Sequence, residues 1–492
     1  MGRCPHHHCN HSPMDRRLFL RTSGVVLSAA LLPGCVTVQP EAEPEASPAQ
    51  YRGPGARYTP QIQAAFVRRK GEYGMLWPGA VYDGQAGQAR YRQLIFDTAK
   101  NEGIALTLRE EPLYTIEETK AWLAEAKAQS VDGLVLILLD RQQHAWPSAS
   151  LAAESDLPSV IFSPLGSSFT TNTIHLAEKT GCFISCTIDD FSQAAYGMRM
   201  LKARAKLQRA RCVVIQGTSR RESQLSDLGI TLCHIPAQDF LDTYQNTPTS
   251  PAIEAMAKDY IRHAKAQRYA TVEDVIHGIK SFWVAQQLLE REQGDGITMD
   301  CLGALGPTNI SLPCIAWSKM NDVGIPAACE ADLGAVASHF LVHYLFDRPG
   351  FQQDPVADTQ DDALIGAHCS CPTRLNGYDE ESEPFEIIHH HGNRDAVPRT
   401  LWKIGQRITC LDVLPGDLKQ NQPTELLVSA GTVLDNLSVP PAGGCVVSVK
   451  AKFDGKQPVL SFPGFHQLFF YGDYKKELLQ FSQLMGFRGT EV

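Results

Sequence analysis

Residues 131–139 read Val-Asp-Gly-Leu-Val-Leu-Ile-Leu-Leu, an almost unbroken apolar run of strand length. A strand apolar at both parities has both faces covered, the condition of a strand inside a parallel sheet. Its surroundings agree. Residues 103–108 (GIALTL) and 158–162 (PSVIF) are strand-like. Between the first of these and the opening run, residues 116–128 are helical in pattern, with Thr115 placed to cap them and Glu118 three residues later. Strands alternating with helices predict an α/β domain with a parallel sheet over 56–175.

The same texture continues. Residues 210–217 (ARCVVIQG) and 228–234 (LGITLCH) read as strands, and 251–266 and 272–292 as helices, giving a second α/β domain over 176–355. Beyond about 356, glycine, proline and alternating apolar residues take over, at 407–411 (RITCL), 425–429 (ELLVS) and 445–449 (CVVSV). That predicts a C-terminal antiparallel β domain over 356–492, a small barrel or sandwich, closed by a helix at 475–485. The expected fold class is therefore α/β, with two parallel-sheet (Rossmann-like) domains and a β-rich end.

Composition narrows the function. The chain has 492 residues, 43% of them hydrophobic, enough for two or three cores. A net charge of −9 is not the footprint of a nucleic-acid binder. Past residue 40 no apolar run is long enough to span a bilayer. The first 35 residues read as an export signal. Arg16-Arg17, an uncharged stretch at 22–32, and Leu-Pro-Gly-Cys at 32–35 resemble a twin-arginine signal ending in a lipobox. Cys35 would be the lipidated residue, and the anchor the only membrane contact. Residues 36–55 follow as a flexible tether. The stretch 1–13 (MGRCPHHHCNHSP) has soft-metal donors but precedes Met14, the natural start. Eleven cysteines remain after Cys4, Cys9 and Cys35, an odd number, and several sit in apolar runs as buried thiols do. Export of an already folded chain would spare these thiols wrong pairing outside the cytoplasm.

Chemistry gathers between 329 and 391 and at 466. Residues 327–332 read Ala-Ala-Cys-Glu-Ala-Asp, and a helix with a wide apolar stripe follows. Glu330 sits at its start, and Asp354 lies 24 residues on. A helix of about 15 residues climbs roughly 22 Å, and about six extended residues return roughly 20 Å. The two carboxylates can therefore meet, a pairing that suits Mg2+ or Mn2+. The alternative is that Glu330 and Asp332 only complement the helix dipole. Further on, residues 363–372 (ALIGAHCSCP) carry His368, with Cys369 and Cys371 at a spacing unlike a zinc pair. Residues 385–391 carry His389, His390 and His391, and His466 lies in an aromatic segment. Trp77, Trp146, Trp317 and Trp402 could offer ring faces to a ligand, with core packing the default for each.

Taken together, AACEAD, the carboxylate 24 residues later, His-Cys-x-Cys-Pro, the His-Gly turn, and His466 before Tyr-Gly-Asp-Tyr resemble the L-fucose/L-arabinose isomerase superfamily. The nearest part is its fucose-isomerase-like branch. The resemblance covers most of 180–490 and is most specific at 298–372. It implies two stacked α/β domains and a C-terminal β domain, with the active site where they meet, in a homo-oligomer. It also implies that Glu330 and Asp354 are catalytic and bind the metal, with His466 as third ligand. His389 or His390 would contact substrate, and His368 would line the pocket. The implied cofactor is a divalent ion, Mn2+ foremost, with Mg2+ or Co2+ as alternatives, and the substrate a deoxy- or pentose-type sugar. The chain departs from the family pattern at 385–391 and at Phe465, where relatives often carry a polar residue. Two functions follow as expectations: an exported aldose–ketose isomerase working through an enediol, or a lipid-anchored sugar-binding protein without turnover. Loss of activity with EDTA and with Glu330→Gln separates them.

Overall fold

The apolar run at 131–139 forms strand Gly133–Leu138, buried at every residue. It is the middle strand of a five-stranded sheet, in the order Ala105–Leu108, Gln61–Val67, Gly133–Leu138, Ser159–Ser163, Cys182–Cys186. All four pairings are parallel. The structure is a computed structural model that describes residues 51–77, 80–164, 168–390, 394–417, 420–438 and 445–492. The expected export signal, Cys35 included, lies outside the described residues, as does the tether up to residue 50.

The run is apolar at both parities because both faces are covered. Leu134, Leu136 and Leu138 pack with Trp122 and Ala149 on one face. Val135 and Ile137 pack with Tyr91, Ile95 and Met198 on the other. Burying each such side chain is worth about 1.5–3 kcal/mol. Helix Ile116–Ala128 starts where expected, with a reciprocal capping box between Thr115 and Glu118.

A second sheet runs in the order Ala327–Cys329, Gly296–Met299, Arg211–Ile215, Ile230–Ile235, Arg221–Leu225. Its first four strands are parallel and the last is antiparallel. The edge strand Arg221–Leu225 was not foreseen. Its sequence, Arg-Glu-Ser-Gln-Leu, is mostly exposed and carries no apolar signal. Helix Val272–Glu292 matches its expected span, and helix Pro251–His263 ends three residues short of the expected 266, where strand Ala266–Gln267 begins. A small sheet of Ala266–Gln267, Phe385–His389 and Ala396–Thr400 was also not foreseen.

The β-rich end is a closed barrel. Around it run Phe351–Asp358, Ala363–His368, Val447–Phe453, Glu425–Asn436, Arg407–Leu414 and Gln467–Tyr471, each antiparallel to the next, with the last pairing back to the first. Closure leaves this ring no free edge. Strand Arg488–Glu491 adds in parallel outside it, after helix Lys475–Met485. The barrel already begins at Phe351, so Asp354 belongs to it rather than to the preceding α/β region.

Helix Leu333–Phe346 joins these parts. An apolar stripe was expected, but eleven of its residues, including Ser338 and His339, are buried. It is covered on several sides, by strands Ala327–Cys329, Arg407–Leu414 and Gln467–Tyr471 and by helix Ser192–Leu207. One apolar cluster runs through it from Ile62 and Phe162 to Leu468 and Phe470 of the barrel. Residues 51–55, expected to belong to the tether, are tied down. The N–H groups of Gly55 and Ala56 donate to Asp295 at 3.1 and 2.7 Å. Among the described residues, no helix is long and apolar enough to cross a membrane.

Candidate metal centre

Strand Ala327–Cys329 ends at the carboxyl edge of the second sheet, and Glu330 is the next residue. Ligands of open α/β sheets bind beyond this edge. Glu330 and Ala331 both take left-handed backbone, at φ 63 and 55°. That costs a residue with a side chain about 1–2 kcal/mol and persists only when the surroundings impose it. Here Ala331 N–H donates to the Met299 carbonyl at 3.0 Å, and Asp332 N–H to the Cys329 carbonyl at 3.3 Å. Asp332 then caps helix Leu333–Phe346, its Oδ1 accepting the Ala335 N–H at 2.8 Å.

The barrel supplies the other groups from one end of three adjacent strands. Asp354 pairs with Ala367, the neighbour of His368. Gln353 pairs with Gln467, the neighbour of His466. His466 is also left-handed, at φ 53°. The turn before it is pinned by Asp412, whose Oδ2 accepts the Phe465 N–H at 3.0 Å. Gly464, at φ +97°, is the residue that fits there, since a Cβ would lie 2.5 Å from that oxygen. Burial pushes Asp412 up to about 6.

These elements bring Glu330, Asp354 and His466 together. His466 Nε2 lies 3.5 Å from Glu330 Oε2 and 3.2 Å from Asp354 Oδ1. His466 Nδ1 is 3.0 Å from Asp332 Oδ2. With Nδ1–H given to a carboxylate, Nε2 is the nitrogen that faces the acids, the arrangement of a metal-binding histidine and its outer-shell partner. His368 comes closer than expected of a pocket wall: its Nε2 is 3.9 Å from Glu330 Oε1. Ligand atoms of Glu330, His368 and His466 all lie within 4.8 Å of one another.

Asp354 Oδ1 is buried and lies 3.2 Å from His466 Nε2, an ion pair when that imidazole is charged. Such an oxygen is costly unless a cation meets it. Burial is the largest influence on Glu330 and raises its carboxyl, with Asp354, Asp332 and Asp300 adding to the rise and His466 opposing it. Burial also pushes Asp354 up, but the imidazoles of His466 and His368 outweigh it and the net direction is down. Asp332 likewise ends lowered, burial being overcome by His466 and the Ala335 N–H. Burial works against a charged His466, yet Asp332, Asp354 and Glu330 raise it to about 9. Three acids around one imidazole thus demand positive charge. The ligand atoms that lie within 4.8 Å of one another are those of Glu330, His368 and His466, one carboxylate oxygen and two imidazole nitrogens, a set that could hold a metal ion, with Asp354 beside it at 3.2 Å from His466 Nε2.

The remaining expected residues lie elsewhere. His389 Nε2 is 3.5 Å from Asp274 Oδ2, at the end of the small sheet. A ring nitrogen of His390 lies among the sulfurs of Cys314 and Cys369. His391 lies outside the described residues, as does the Trp77 side chain. Trp146, Trp317 and Trp402 are buried in the core. All eleven cysteines among the described residues are free, and nine are buried. Comparison with protein-family models finds no match, and comparison with curated proteins finds none either.

Sequence reasoning missed the contact of Asp332 with His466, the nearness of His368 to Glu330 and the left-handed backbone at Glu330 and His466. The Pro-Gly pair at 463–464 was the one available signal of a sharp turn into His466.

Proposed function

We propose that the protein is a divalent-metal-dependent aldose–ketose isomerase acting on a deoxy- or pentose-type sugar through an enediol. The observation that carries this reading is the meeting of Glu330, Asp354 and His466 at the junction of a parallel sheet and a barrel, with both carboxylates facing His466 Nε2. Glu330, Asp354 and His466 would hold the ion, with His368 beside them. A bound ion would supply Lewis acidity toward two adjacent sugar oxygens.

The chain's own groups do the rest. Glu330, with its side chain 37% exposed, is placed to take a proton from one sugar carbon and return it to the next. Asp354, facing the same His466 Nε2 as Glu330, assists proton movement between the oxygens. Asp332 fixes the imidazole so that Nε2 stays aimed at the site. Phe465, 61% exposed beside His466, offers an apolar surface to a deoxy-sugar. In the proposed setting the protein is exported to the cell envelope, tethered through Cys35, and forms a homo-oligomer.

The test is incubation of purified protein with Mn2+ and a panel of aldoses and ketoses. Conversion that disappears with EDTA and with Glu330→Gln is expected. No conversion, together with no retained Mn2+, overturns the reading. Sugar binding indifferent to both treatments would mark a receptor instead.

A further inference from the structure

A second cluster, of different chemistry, lies beside the acidic one. Cys314 opens helix Cys314–Asp322, Cys369 follows strand Ala363–His368, and His390 follows strand Phe385–His389. Three separate elements thus deliver three side chains, all buried: the residues are 2, 8 and 4% exposed. The sulfurs of Cys314 and Cys369 are 3.5 Å apart. With a ring nitrogen of His390, their ligand atoms all lie within 4.8 Å of one another. Cys329, His368 and Cys369 form a second trio within the same limit. Lone buried thiols act as small hydrophobes. Burial alone does not call for two sulfurs and a ring nitrogen from three separate elements to converge within 4.8 Å.

We propose that Cys314, Cys369 and His390 bind a thiolate-preferring divalent cation of the Zn2+ type, with Cys329 and His368 in reach as further donors. Thiolate and imidazole select such an ion over Mn2+ or Mg2+, which oxygen donors favour. A Zn–S bond of about 2.3 Å in tetrahedral geometry sets two sulfurs about 3.8 Å apart, so the pair has to open only slightly. Binding balances by proton release: one Zn2+ enters, two Zn–S bonds form and two thiol protons leave to solvent. His368 stands between the clusters, with Nδ1 3.6 Å from Cys369 Sγ and Nε2 3.9 Å from Glu330 Oε1. One barrel strand would then connect an oxygen-rich site to a sulfur-rich one. This inference does not rest on the isomerase reading.

The test uses the full chain, stripped with chelator under reductant and titrated anaerobically with Co2+. One equivalent with a thiolate-to-cobalt charge-transfer band is expected, displaced by Zn2+ and lost in the double variant Cys314→Ser/Cys369→Ser. Glu330→Gln should keep the band. Mn2+ binding at the acidic site, followed by paramagnetic resonance, should survive in the thiol variant, so failure at one site is distinguishable from failure at the other. Co2+ binding without the band overturns the proposal. So does a band undiminished in the double variant, which would belong to other thiols, Cys4 and Cys9 included. A Cys314–Cys369 disulfide in protein purified without oxidant overturns it as well. Should the double variant fail to fold, zinc-edge anomalous scattering from loaded wild-type crystals decides. A peak among Cys314, Cys369 and His390 supports the site, and its absence there rejects it.

Discussion

Asp332 does two jobs with one carboxylate, and Asp332→Asn separates them. Oδ1 caps helix Leu333–Phe346 by accepting the Ala335 N–H at 2.8 Å. Oδ2 accepts from His466 Nδ1 at 3.0 Å. Asparagine caps a helix about as well as aspartate. Loss of the negative charge at the helix start costs about 0.3–1 kcal/mol, which for a chain of this size moves the unfolding midpoint by at most about 2–4 °C. The second job suffers more. A neutral amide no longer raises the basicity of His466 or complements its charge. Removing an outer-shell partner of a metal-binding histidine typically weakens metal binding about 10–100-fold, or about 1.4–2.7 kcal/mol. Calorimetric titration of Mn2+ into Asp332→Asn should therefore show that loss while the apo-protein melts near wild type. An affinity within about twofold of wild type would refute the outer-shell role. A large fall in stability would show instead that the helix cap was the greater contribution.

Other predictions concern protons and packing. His466, raised to about 9, is protonated in the ion-free protein at neutral pH. Mn2+ must displace that proton, so affinity should fall about tenfold per pH unit below 9, with about one proton released per ion. Titration at one pH in buffers of different ionisation enthalpy measures this, and no release would contradict it. His343, in contact with Tyr378 Oη at 2.7 Å, is pushed by burial down to about 3. The unfolded chain takes up this proton near pH 6.5, so stability is intact above that and is lost as pH falls toward 3. The loss is about 2 kcal/mol from pH 7 to 5. Denaturant unfolding of His343→Asn across that range should show a correspondingly flatter dependence, and an unchanged slope would exclude His343 as the source. Phe340, fully buried in the joining helix, should cost about 3–5 kcal/mol when changed to Ala, again by denaturant unfolding, and a loss under about 1 kcal/mol would deny that helix its place in the core.

What was legible in the sequence was what burial writes into composition. Strand Gly133–Leu138 showed itself because helices cover both its faces. Helix Ile116–Ala128 showed itself through its capping box. Strand Arg221–Leu225 did not, because an exposed edge strand carries no apolar code. Strand Phe351–Asp358 did not either, because Pro355 and the two glutamines break its alternation. At the site, spacing and the family resemblance selected Glu330, Asp354 and His466. The further members depend on convergence that a linear reading does not contain. Cys369 and Cys371 are the instructive pair. Two residues apart, they read as a poor metal pair. Cys371 is absent from the cluster, its thiol donating to the Pro372 carbonyl at 3.3 Å instead. The partners of Cys369 are its neighbour His368 and residues from the distant positions 314, 329 and 390.

The central claim is that one divalent ion binds between the second sheet and the barrel. Manganese-edge anomalous diffraction from Mn2+-soaked crystals tests it most directly. The account predicts a peak within coordination distance of Glu330, Asp354 and His466. A structure in which those side chains hold no metal, or in which manganese is found only among the thiols, would contradict it.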